Sequence, residues 1–97
     1  MDNPQSERLH ILVHGIVQGV GFRYYVLGAA SAMHLSGWVR NTSTGQVEAV
    51  AEGPRSVLDR FASYLEEGPE NAFVSHVEKY WLPATGEFSG FNITSTR

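Results

Sequence analysis

The run Gly15-Ile16-Val17-Gln18-Gly19-Val20-Gly21-Phe22-Arg23 carries the strongest chemical signal in the chain. Its three glycines permit positive φ and close backbone approach. Such a loop can turn several N–H groups inward as a nest, beside the positive end of a following helix. Arg23, in the first turn of that helix, adds a planar cation with paired donors. Together these groups make a site for one tetrahedral anion, most simply a phosphate. On spacing alone the same loop is equally a structural turn, and the adjacent Arg23 shifts the reading toward the anion. Two familiar phosphate patterns do not fit. No Gly-Lys-Ser/Thr follows Gly19, and the third glycine of the dinucleotide fingerprint is replaced by Tyr24.

Asn41 is the second candidate. Its amide offers a donor and an acceptor, so it can orient a water without titrating. On local grounds the plainer reading is stronger, because Asn before a turn commonly satisfies the turn backbone. His10, His14, His34 and His76 are scattered, without the spacing of zinc ligands, and read as structural or solvent-facing. Glu66-Glu67 and Glu48/Glu52 are possible acid/base pairs. The first pair ends a helix and the second shares one face of a strand, so both read as solvated. Tyr80, Trp81 and Trp38 read as core aromatics that need no ligand.

These residues need elements to hold them. Leu9 to His14 is rich in β formers and reads as a strand. From Phe22 to His34 the apolar residues recur at helical spacing, and Gly37 ends the run. Trp38 to Asn41 and Gln46 to Ala51 form a hairpin across Thr42-Ser43-Thr44-Gly45. Pro54 takes the first position of a second helix, which Gly68-Pro69 stops. Phe73 to Leu82 and Phe91 to Ser95 are the last two strands. The order β-α-β-β-α-β plus a terminal strand predicts an α+β, ferredoxin-like fold. Its sheet is mainly antiparallel, with both helices on one face.

The 97 residues, 42% apolar and 18% charged, suit one ordinary globular domain. A chain of this size buries about two thirds of its unfolded surface, enough for one core. Residues 1–7 are expected to be a loose tail and residues 8–97 a single domain. Seven Lys+Arg against ten Asp+Glu leave a net charge of −3, which argues against a binder that neutralises many phosphates of a nucleic acid. The absence of cysteine excludes disulfides, thiolate metal sites and cysteine nucleophiles. No signal peptide or run of about 20 apolar residues is present. The chain therefore reads as soluble and cytoplasmic, and the sequons at Asn41 and Asn92 as chance matches.

Val13-His14 followed by the Gly15–Arg23 run resembles the first signature of the acylphosphatase family. Gly37-Trp38-Val39-Arg40-Asn41, with Gly45, Val47 and Gly53, resembles the second. Similarity continues through Phe61, Gly68-Pro69, Ala72, Val74, Val77 and Phe91-Asn92-Ile93. The resemblance implies hydrolysis of acyl phosphates to a carboxylate and inorganic phosphate, without metal or cofactor. It implies that Arg23 and the backbone of Gly15, Ile16, Val17, Gln18, Gly19, Val20, Gly21 and Phe22 bind the phosphoryl group, and that Asn41 positions the attacking water. Inorganic phosphate is then product and competitive inhibitor. The expected protein is a monomer with no nucleic-acid or membrane partner. The chemistry agrees, since a carboxylate leaves as a weak base and needs no general acid, and a loose phosphoryl-transfer transition state is catalysed by positioning and charge.

Two rival readings stand beside this one. An RNA-binding module shares the element order, but strand three, Gln46 to Glu52, has no aromatic residue and two acids. An acyl- or carbamoyl-phosphate-binding domain of a larger assembly, as in hydrogenase-maturation proteins, is the alternative function. Such chains continue into zinc-binding cysteines, which are absent here.

Overall fold

A computed structural model describes residues 5–97. The elements run β1 (Ser6–Ile16), α1 (Phe22–Ala32), β2 (Ser36–Asn41), β3 (Val47–Pro54), α2 (Arg55–Glu67), β4 (Phe73–Pro83) and β5 (Phe91–Ile93). They form one sheet in the order β4-β1-β3-β2-β5, antiparallel except where β5 pairs with β2. This is the expected ferredoxin-like α+β arrangement.

Strand alternation explains why the helices cover one face. Leu9, Ile11 and Val13 of β1, Val39 of β2, and Val47, Ala49 and Ala51 of β3 are fully buried. They meet Phe22, Val26, Ala29 and Ala30 of α1 and Leu58, Phe61, Ala62 and Leu65 of α2 in one core. Each large member contributes about 1.5–3 kcal/mol by leaving water. The other face is laced with ion pairs. Arg8 reaches Glu52 at 2.7 Å, and Glu48 takes both His10 at 2.7 Å and Arg40 at 2.8 Å. No helix among the described residues is long and apolar enough to cross a membrane.

Several boundaries differ from expectation for identifiable reasons. β1 begins at Ser6, not after residue 7, because Ser6 and Glu7 pair with Pro54 and Gly53. Residues 1–4 lie outside the described residues. Pro54 is the extended N-cap of α2, with ψ 144°, because it is still laddered to β1. α1 stops at Ala32 rather than His34. There the Leu35 N–H donates to the Ala30 carbonyl at 2.9 Å, with His34 left-handed at φ 57°. This is a Schellman ending with histidine in the usual glycine place. β5 ends at Ile93, and the chain beyond it follows β2. Thr94 N–H donates to the Val39 carbonyl and Arg97 N–H to the Asn41 carbonyl.

Glu52 is also unlike the solvated carboxylate expected. It is 5% exposed. Its oxygens accept from the N–H groups of Thr85 and Gly86 and from Arg8, so it clasps the 84–90 connection to the sheet. Burial acts to raise its pKa, but these donors outweigh burial and hold it below the usual carboxylate value. Tyr80 lies exposed on the open face instead of in the core.

Candidate active site

The sheet register brings the two candidate segments to one end of the fold. Val47 of β3 lies opposite Val13 of β1 on one side and Asn41 of β2 on the other. With strands about 4.8 Å apart, Val13 and Asn41 are about 10 Å apart. The glycine-rich loop leaves β1 just beyond Val13.

A β-bulge sets that departure. His14 pairs with His76, and Gly15 pairs with Val74, so Ser75 is the extra residue on β4. Gly15 has φ 132°, and a Cβ there would stand 2.0 Å from the Phe73 carbonyl oxygen. Only glycine lets the strands approach this closely. Gly15 and Ile16 therefore remain in the ladder, and the free loop runs over residues 17–21.

Two apolar side chains anchor the loop while its backbone stays outside. Val17 and Phe22 are each 1% exposed, whereas Ile16, Gly19 and Gly21 face solvent. Gly21 is the N-cap of α1 in left-handed conformation (φ 79°, ψ 16°), and no side chain caps the helix. The opening N–H groups of α1 thus have no side-chain cap, the arrangement in which a helix start can take an anion. Arg23 is half-buried in the first turn and, among the described residues, no carboxylate pairs with it. None of the ten acidic residues falls between Arg8 and Val47. A chain that is acidic overall keeps this segment free of negative charge.

Gln18 ties the loop to the hairpin. Its Nε2 donates to the carbonyls of Thr42 and Gln46, both at 2.8 Å. From the sequence, Gln18 is expected to act through its backbone amide only. The signal available was a long amide side chain among small and apolar loop neighbours.

The hairpin turn does not use the Asn41 side chain. Thr42 satisfies the turn, accepting from Gln46 N–H at 3.0 Å and bonding the Gln46 side chain. Asn41 Oδ1 is buried and has no hydrogen-bond partner among the described residues. The plainer reading of Asn41, as a turn residue, is displaced by Thr42. A buried unpaired acceptor costs about 1–3 kcal/mol, which a donor arriving at the site would recover.

Comparison with known proteins gives the same direction. The family model described as acylphosphatase matches residues 9–93. The chain belongs to the acylphosphatase family. It is 46% identical over 89 residues to the acylphosphatase of Moorella thermoacetica, covering 92% of this chain and 95% of that one. The crystal structure of acylphosphatase from Bacillus subtilis superposes with a TM-score of 0.88 at 35% identity, covering 91% and 98% of the two chains. A structure of full-length HypF, in a phosphate- and nucleotide-bound form, also matches. It has a TM-score of 0.88 and 30% identity over 98% of this chain, but over only 13% of that one. The activity of this family is hydrolysis of acyl phosphates, and the chain is an acylphosphatase enzyme.

Of the other side chains weighed, Glu66 and Glu67 are exposed at the end of α2, as expected. Histidines 14 and 76, far apart in sequence, are brought face to face with Glu78 nearby. Nothing in their spacing signalled this, because it depends on the β1–β4 register.

Proposed function

We propose that Arg23 and the backbone amides of Gly15 through Phe22 hold the phosphoryl group of an acyl phosphate while Asn41 positions the attacking water. The amides beyond Ile16 carry most of the binding, since Gly15 and Ile16 are laddered to β4. The observation that carries this reading is the buried, unpartnered Asn41 Oδ1, on a strand end tied by Gln18 to the loop that precedes Arg23.

The uncapped helix start and the Arg23 guanidinium supply the donors for charge that develops on the equatorial oxygens. Asn41 Oδ1 accepts one proton of the water and so aims an oxygen lone pair at phosphorus. The new P–O bond forms as the bond to the acyl oxygen breaks, and that electron pair leaves on the carboxylate. With an acid pKa of about 4 to 5, the leaving group departs unprotonated. The water's proton passes to a phosphoryl oxygen, so no protein base is required. A fixed acidic-limb pKa that disappeared with one particular His or Glu would contradict that last step.

Hydrolysis of benzoyl phosphate in ¹⁸O-labelled water tests the direction of attack. Label in inorganic phosphate is expected. Label in benzoate would mean attack at the carbonyl carbon and would remove the role given to Asn41.

We further propose a single-domain, cytoplasmic monomer with acyl phosphate as its small-molecule partner. The cysteine-free, acidic composition supports this reading. Inorganic phosphate, as product, competes at the same loop.

A further inference from the structure

The open face of the sheet gathers three metal-ligating side chains that the hydrolytic site does not use. His14 and His76 oppose each other across the β1–β4 ladder, their rings 8° from parallel and 4.2 Å between centroids. Glu78, two residues further along β4, places Oε2 2.5 Å from His14 Nε2. One ligand atom from each of the three lies within 4.8 Å of the others. His10, the other strand histidine on this face, shares its carboxylate Glu48 with Arg40. In contrast, among the described residues Glu78 has no Lys or Arg partner.

We propose that His14, His76 and Glu78 form a site for a single d-block dication, with Zn²⁺ the type case. Two imidazole nitrogens and one carboxylate oxygen are the donor set such ions take, and water completes the shell. The neighbouring groups already orient the ligands. Tyr80 hydroxyl donates to Glu78 Oε1 at 2.6 Å, which leaves Oε2 for the metal. Ser75 Oγ lies 3.2 Å from His76 Nδ1, which leaves Nε2 free. Outer-shell contacts of this kind fix ring orientation and ligand direction.

The ligands must rearrange to converge: a ring nitrogen's lone pair lies in its ring plane, so the exposed His76 ring has to turn out of its stack on His14 before both face one ion. Tetrahedral bonds of about 2.0–2.1 Å put ligand atoms about 3.3 Å apart. His14 Nε2 and Glu78 Oε2 must therefore spread from 2.5 Å, and the exposed His76 and half-buried Glu78 side chains lie outside the core and can move without disturbing it. The ion would join β1 to β4 at the bulge, one residue before Gly15.

The test is titration of the purified protein with Co²⁺, followed by its d–d absorption, and with Zn²⁺ in competition with a chromogenic indicator. One equivalent is expected to bind, with a cobalt spectrum of mixed nitrogen and oxygen ligation. His76→Gln and Glu78→Gln should each weaken binding by more than about tenfold, since losing even an outer-shell partner costs about 10–100-fold. His10→Gln should leave binding unchanged. Because His76 is exposed and outside the core, metal-free His76→Gln should keep the wild-type unfolding midpoint. If Glu78→Gln does not fold, His76→Gln alone decides. Absence of stoichiometric binding, or binding that His76→Gln leaves unchanged, overturns the proposal.

Discussion

Gln18 and Thr42, 24 residues apart in sequence, are joined by a 2.8 Å hydrogen bond from the Gln18 side-chain amide to the Thr42 carbonyl. The same amide reaches the Gln46 carbonyl, so one side chain fixes the glycine-rich loop against both arms of the β2–β3 turn. The glycine-rich loop and the strand end that carries Asn41 are thereby held as one unit. Catalysis by positioning is sensitive to errors of about 1 Å, so this tie should affect rate more than fold.

Gln18→Ala tests that coupling. Removing two hydrogen bonds should lower stability by about 1–2 kcal/mol. The catalytic loss should be larger, about tenfold or more in kcat/KM for benzoyl phosphate. Steady-state kinetics beside a urea melt separates the two effects. A variant with full activity would show that the loop holds its shape without the hairpin.

Arg23→Ala should weaken inhibition by inorganic phosphate and lower kcat/KM together, each by at least about 100-fold, the order expected when a charge-assisted contact is lost. Arg23→Lys should restore little, because an ammonium cannot reproduce the paired donors of a guanidinium. Unchanged phosphate inhibition in Arg23→Ala would place the anion elsewhere.

The loop and the hairpin were legible because their signals are local: glycines at the turns and apolar residues at helical or strand spacing. The element order and helix-covered face followed from the same patterns. What was not legible depends on pairs of distant residues. The role of Gln18 needs the hairpin beside it, and the burial of Glu52 needs the 84–90 connection folded over β3. The meeting of His14 with His76 needs a strand register that no composition prints. The end of α1 was misplaced because a histidine, not a glycine, takes the left-handed position.

Gly15→Ala should destabilise the protein by about 3 kcal/mol or more. The methyl group would fall 2.0 Å from the Phe73 carbonyl oxygen, and the backbone sits at φ 132°, where a side chain is strained. Gly19→Ala, with nothing within 4 Å, should cost only about 1 kcal/mol. Denaturant midpoints of the two variants give the comparison, and equal losses would contradict the close approach of β1 and β4.

Acid should loosen the clasp made by Glu52. Its pKa is depressed in the folded state, so the stability it adds is complete above the unfolded carboxyl value, about 4.3. That stability is lost as pH falls through the lower folded value. Glu48, also depressed because bonds from His10 and Arg40 outweigh burial, adds to the same window. Glu52→Gln should cost about 2–4 kcal/mol at pH 7 and reduce the loss of stability below about pH 4.5, leaving the parts due to Glu48, Glu78 and Glu87, which their own hydrogen bonds also hold below the usual value. Urea melts between pH 3 and 7 check this, and an identical pH dependence in the variant would remove Glu52 from the account.

The most direct test of the site is Asn41→Ala, assayed for benzoyl phosphate hydrolysis in excess EDTA beside its affinity for inorganic phosphate. In this variant kcat is expected to fall by at least about 100-fold, comparable to loss of a preorganised polar contact to the reacting groups, while phosphate affinity stays within about threefold of wild type. An Asn41→Ala enzyme that hydrolyses benzoyl phosphate at the wild-type rate would show that the attacking water is placed by another group.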